Sequence, residues 1–200
     1  MNTRTLSETT RRAGQTMTIH QTIKFIGQEL SQTLTDYDKW FDLDSELLRF
    51  RPKIGWSIEQ ITNHFLLILI RKGFNKAQEL ARKVDLNEAL SSYQYNLSEL
   101  DQIAKHKSFE WIRPEHMEPK GDKSLIEVKT ILAEQINECK DMLHGIPNGE
   151  GTLYKTTMTV NNLGKIDVYQ YIYFLCQHAR RHIIQMQGVI DEYCRFKDAE

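Results

Sequence analysis

Four segments of this chain open with the same signal: a short polar residue, a glutamine or glutamate three positions later, and then apolar residues at helical spacing. The pairs are Thr18 and Gln21, Ser57 and Gln60, Ser124 and Glu127, and Asp167 and Gln170. In such a capping box each side chain accepts the other's backbone N–H, satisfying donors that a helix start leaves bare. The pattern predicts four long helices, over Thr18 to Trp40, Ser57 to Lys83, Ser124 to His144, and Asp167 to Phe196. Ile23, Ile26, Leu30 and Leu34 stripe the first; Leu125, Val128, Leu132, Cys139 and Leu143 stripe the third. The second would be about 40 Å long at about 1.5 Å per residue. Its Leu66 to Ile70 stretch is apolar all round, so its middle is expected to be buried on several sides.

The connections are less regular. Asp85 to Gly121 is expected as a long irregular link between the second and third helices, with a short helix over Ser98 to Lys107 and a proline-bearing loop over Phe109 to Gly121. Gly149 to Lys165 forms a second loop containing a strand-like run, Tyr154 to Val160. Only 10 Gly and 4 Pro occur in 200 residues, which disfavours a turn-rich all-β fold. The expected class is all-α, a four-helix bundle with a long irregular connection between the second and third helices. Residues 1–17 read as a flexible polar tail and residues 18–200 as a single domain.

Charge and cysteine content narrow the setting. Lys and Arg total 26 against 27 Asp and Glu, a formal charge of -1, so no surplus exists to hold a nucleic-acid backbone. The longest apolar run, Phe65 to Ile70, is far shorter than the ~20 residues of a membrane span, and no membrane partner is expected. Cys139, Cys176 and Cys194 are odd in number and widely spaced, which points to a reducing, cytoplasmic location.

Chemistry concentrates on the histidines. His178 and His182 are spaced i, i+4, about 40° apart on one helical face, one turn apart. Tyr171, Leu175, Met186 and Val189 fall within about 40° of His182, so both imidazoles are expected to face the core, with Arg180 roughly opposite, towards solvent. Two core-facing imidazoles are costly unless each has a partner, and a shared metal ion satisfies both. His-x-x-x-His alone is a weak signal, because a satisfied core histidine is a common fate; a third ligand is needed. His64, beside Ile61, Leu67 and Ile68, is the candidate. His106, His116 and His144 fall at helix ends or in loops, where a solvated role suffices. The chain has no His-Glu-x-x-His, no Glu-x-x-His, no phosphate-binding glycine loop and no Cys-x-x-Cys.

The local sequences around these histidines resemble one family. Trp56-Ser-Ile-Glu-Gln-Ile-Thr-Asn-His64-Phe resembles the start of the second helix of the DinB/YfiT-like superfamily, and Gln177-His178-Ala-Arg-Arg-His182-Ile-Ile-Gln185-Met resembles its last helix. Pro114 to Gly121 before Ser124 is similar to the proline-bearing loop ahead of the family's third helix, and Leu163-Gly164-Lys165 to the approach to its fourth. The likeness covers about Ile23 to Ile190. It implies a four-helix bundle, often a homodimer, with one divalent metal held by His64, His178 and His182. Characterised relatives include metal-dependent transferases that use low-molecular-weight thiols, and the family name carries no implication of DNA polymerase activity.

The residues are compatible with that implication. Three neutral imidazoles leave at least one open position on zinc or nickel, at which a water or a thiol becomes acidic. Arg71, two turns beyond His64 and about 20° off its face, would either hold an anionic group of a ligand or reach solvent. Gln185 would either orient a ligand imidazole or cap a polar edge of the apolar stripe. No residue stands out as general base. Two readings follow: a metal-dependent enzyme, a thiol S-transferase or a hydrolase, or a non-catalytic, metal-stabilised dimeric helical protein acting through association.

Overall fold

The computed structural model describes residues 15–64, 70–83, 93–105, 109 and 123–199. The described residues are mostly helical, with two small two-stranded sheets. In chain order they form β1 (Met17–Thr18), α1 (Ile19–Asp38), α2 (Ser45–Arg49), α3 (Ile58–His64), α4 (Ile70–Ala81), β2 (Gln94–Tyr95), α5 (Leu125–His144), the strands β3 (Lys155–Met158) and β4 (Gly164–Asp167), and α6 (Val168–Lys197). Short 3-10 turns lie at Lys39–Phe41, Ser98–Ala104 and Glu150–Leu153.

All four predicted capping boxes are present. Gln21 N–H donates to Thr18 Oγ1 at 3.3 Å while Thr18 N–H donates to Gln21 Oε1 at 2.9 Å. Ser57 and Gln60 exchange the same pair of bonds, as do Ser124 and Glu127, and Asp167 and Gln170. At Thr18, Ser124 and Asp167 the cap residue takes an extended backbone that cannot continue a helix backwards, so the box fixes where the helix begins. The second predicted helix is described in two parts, α3 and α4; residues 65–69 between them, and the apolar Leu66 to Ile70 stretch with them, lie outside the described residues or side chains.

α1 packs against α5 and α6, and α6 also meets α3, α4 and the Ser98–Ala104 turn. Ile26, Ile136, Ile172 and Tyr173 are at most 1% exposed where these elements meet. α6 is 30 residues long, and its first half is buried almost continuously from Val168 to His182. A helix covered on several sides has no solvent face, and this corrects the expected place of Arg180: it is buried, not solvent-directed. Its guanidinium pairs with Glu29, which sits on the core side of α1 between Ile26 and Leu30.

The loop expected over Gly149 to Lys165 is more ordered than a plain connection. β3 and β4 form an antiparallel hairpin in the register Lys155 with Asp167 and Met158 with Gly164. Asn161 and Asn162, in the turn between them, both have left-handed backbones, φ 48° and 53°. At the other end, Met17 and Thr18 pair with Tyr95 and Gln94, so β1 ties the start of α1 to the stretch after residue 92. Residues 1–14 of the expected tail lie outside the described residues, as do most of 106–122.

Candidate metal centre

α6 supplies two of the three expected ligands. Because residues four apart on a helix lie one turn above each other, the His178 and His182 imidazoles stack along one face, ring centroids 4.5 Å apart and tilted by 48°. Phe174, a further turn back, lies 6.0 Å from His178. His182 is buried and His178 half-buried, so the pair runs from the core outwards.

His182 is held by a specific contact. Its Nδ1 lies 3.2 Å from Gln185 Oε1. An amide oxygen can only accept, so this bond places the proton on Nδ1 and the lone pair on Nε2. Nε2 is itself shielded from solvent. That is the tautomer and orientation required of a metal ligand whose second nitrogen is fixed by a neighbouring acceptor. Of the two sequence-level roles for Gln185, the geometry matches the one that orients an imidazole.

His64 is the last residue of α3, which packs against α5 and α6. Its side chain, like that of Arg71 in α4, lies outside the described residues. Among the described residues no three His, Cys, Asp or Glu side chains are grouped to hold an ion; the described part of the expected set is the His178 and His182 pair.

The cysteines offer no competing chemistry in the core. Burial pushes the Cys139 and Cys176 thiols up to about 12 each, so both stay protonated at neutral pH and neither is an activated nucleophile. Cys194 is exposed near the end of α6.

On the side of α6 away from the histidines lies a polar cluster that the sequence reading missed. Asp101, from the Ser98–Ala104 turn, accepts at Oδ1 from the Tyr173 hydroxyl at 2.7 Å and from Gln177 Nε2 at 3.4 Å. Burial pushes its carboxyl above the usual range, against the downward pull of the Tyr173 hydrogen bond. Arg180 and Glu29 lie beside it and contribute opposing charges. The available signal was Glu29: a carboxylate beside the apolar stripe of α1 needs a buried partner, although the sequence does not say which residue supplies it.

Comparisons of this chain with protein-family models, with curated proteins and with solved structures find no match.

Proposed function

We propose that the chain is a DinB/YfiT-like four-helix bundle whose last helix holds one divalent metal ion, zinc or nickel, and that the metal serves a thiol S-transferase or hydrolase reaction. The carrying observation is the His178 and His182 pair, with Gln185 fixing His182 so that Nε2 keeps its lone pair inside the core. His64, at the end of a helix packed on α6, is assigned as the third ligand on its local sequence. A divalent ion held there would supply Lewis-acid activation of a water or a thiol.

The chain's own residues set the conditions for that chemistry. Neutral imidazoles leave the charge of the ion undiminished, unlike thiolates or carboxylates. Phe174 and Tyr171, stacked with centroids 6.0 Å apart, form an apolar wall along the same face and limit water around the His178 ring. Arg71 is assigned to hold an anionic group of a small thiol substrate. The working form is taken to be a cytoplasmic homodimer. Among the described residues no helix is long and apolar enough to cross a membrane.

Elemental analysis of purified protein tests the metal, and a thiol-conjugation screen tests the reaction. The reading expects a single divalent ion per chain, lost in His178→Ala and His182→Ala, with a metal-dependent thiol or hydrolytic activity. Equal, substoichiometric metal in wild type and variants would remove the site. Stoichiometric metal whose loss unfolds the domain, with no activity on any thiol, would favour the non-catalytic alternative.

A further inference from the structure

A cleft lies between α1 and α5. The two helices run antiparallel, because Lys129 near the start of α5 pairs with Asp38 at the end of α1 at 2.7 Å. Counting away from that pair at equal rise per residue puts Lys140 roughly level with Gly27, and His144 with Ile23. Along α1 the lining runs on one helical face from His20 to Ser31, a length of about 16 Å. The cleft encloses about 470 Å³, within the size range of small-molecule sites. Neither His178, His182 nor Gln185 lines it.

Its charge has one sign. The described lining carries His20 and Lys24 from α1 and Lys140 and His144 from α5, but no Asp or Glu. Among the described residues none of these four is in an ion pair. Asp141, next to Lys140 in the chain, does not line the cleft. Lys140 is half-buried, so part of its hydration is lost with no carboxylate to replace it. Ile23 and Leu143 make the rest of the lining apolar.

The floor also has an opening that the fold itself does not need. Gly27 lies in the middle of α1, where a glycine weakens a helix relative to alanine. A Cβ there would meet nothing within 4 Å, so no neighbouring side chain requires the glycine. Its missing side chain bares the helix backbone inside the cleft, one turn from Lys24 and roughly level with Lys140. A two-fold copy of the chain docked on this face would bring the same cations against themselves.

We propose that this cleft binds a small organic anion with an apolar body, its head between Lys24 and Lys140 and its body on Ile23, Gly27 and Leu143. The lysines attract the head, and the floor takes the body out of water. A neutral apolar molecule would leave both lysines unanswered, and an organic cation would be repelled by them.

Calorimetric titration of the full chain with octanoate and with octyl phosphate, at up to millimolar concentration, tests this and distinguishes a carboxylate head from a phosphate one. Octylamine, octanamide and acetate are the controls for charge, head and body. The expected result is saturable binding of at least one of the two anions, with each control weaker by about tenfold or more. Replacing both lysines, Lys24→Gln with Lys140→Gln, should weaken the anion by about tenfold or more. Gly27→Leu, whose Cβ meets nothing within 4 Å, should fill the floor and weaken binding while the melting midpoint is kept. Chelator-treated protein should bind alike, so that failure of the metal reading leaves this site untouched. The proposal is overturned if neither anion binds saturably, if a control binds as tightly, if either variant binds as wild type does, or if chelation abolishes binding. A dimer that dissociates in Gly27→Leu on sedimentation, with no anion bound by wild type, would give the face to a second copy instead.

Discussion

Arg180 and Glu29, 151 residues apart in sequence, form an ion pair whose side chains are 9% and 2% exposed. The pair pins the middle of α6 to α1 at the level of Asp101. Desolvating two charges costs nearly what their attraction returns, so its net worth is small while the cost of halving it is large. Glu29→Leu or Arg180→Met alone is expected to destabilise the fold by about 3–5 kcal/mol, because each strands a buried charge. The double variant should cost no more than the worse single one. Urea unfolding midpoints of the three variants and wild type close the cycle; additive losses would show that the pair is not coupled.

That pair also shows where sequence reading reaches its limit. The four capping boxes were legible because a cap is a local event between residues three apart, and each bond is present as expected. The His178 and His182 face was legible for the same reason, since helical spacing alone stacks them. Arg180 was misplaced because a wheel assumes one buried side, and α6 is covered by α1 on one side and the Ser98–Ala104 turn on another. Neither neighbour can be read from the helix itself. Asp101 was missed for a related reason: it lies in a 3-10 turn with no periodicity, and its partners Tyr173 and Gln177 are more than 70 residues away.

Asp167 makes stability depend on pH. It caps α6, accepts the Gln170 N–H at 3.0 Å and the Tyr95 hydroxyl, and is 2% exposed. Burial pushes its carboxyl up to about 6, outweighing the hydrogen bonds that pull it down. The native state therefore holds this proton more tightly than the unfolded chain, where the value is about 4. Between those values the native state binds more protons, so this group's contribution to stability falls as pH rises from about 4 to about 6 and is level above. Asp167→Asn keeps a capping oxygen and cannot titrate. Urea unfolding across that window should show a shallower fall in the variant; identical slopes would assign the dependence to other groups.

Gly151 is required by a close approach. A Cβ there would stand 2.7 Å from Cε2 of Tyr169, closer than any real contact allows. Tyr169 cannot step aside cheaply: it is fully buried, its hydroxyl donates to the Ile146 carbonyl and accepts from Gly151 N–H at 3.3 Å. Gly151→Ala should cost about 1–3 kcal/mol through overpacking. For a chain of this size that is about 2–4 °C of melting midpoint per kcal/mol, readable by calorimetry. An unchanged midpoint would mean that the Glu150–Leu153 turn shifts freely off α6.

Gln185 gives the metal reading its most selective test. It lies on the half-buried edge of α6 and touches His182 through one bond, Oε1 to Nδ1 at 3.2 Å. Removing that acceptor leaves the fold nearly untouched but frees the imidazole to rotate and to move its proton to Nε2, the nitrogen a metal needs bare. Gln185→Leu is therefore expected to retain helix content while weakening metal affinity about 10–100-fold in competition with a chromogenic chelator. Gln185→Glu, which keeps an acceptor and strengthens it, should hold the metal at least as well as wild type. The contrast between the two separates orientation from packing, because both replacements fill similar space at a half-buried position. If Gln185→Leu binds as tightly as wild type, the glutamine only caps the polar edge of the helix. If His178→Ala also binds unchanged, the ion, wherever it sits, is not held by this face of α6.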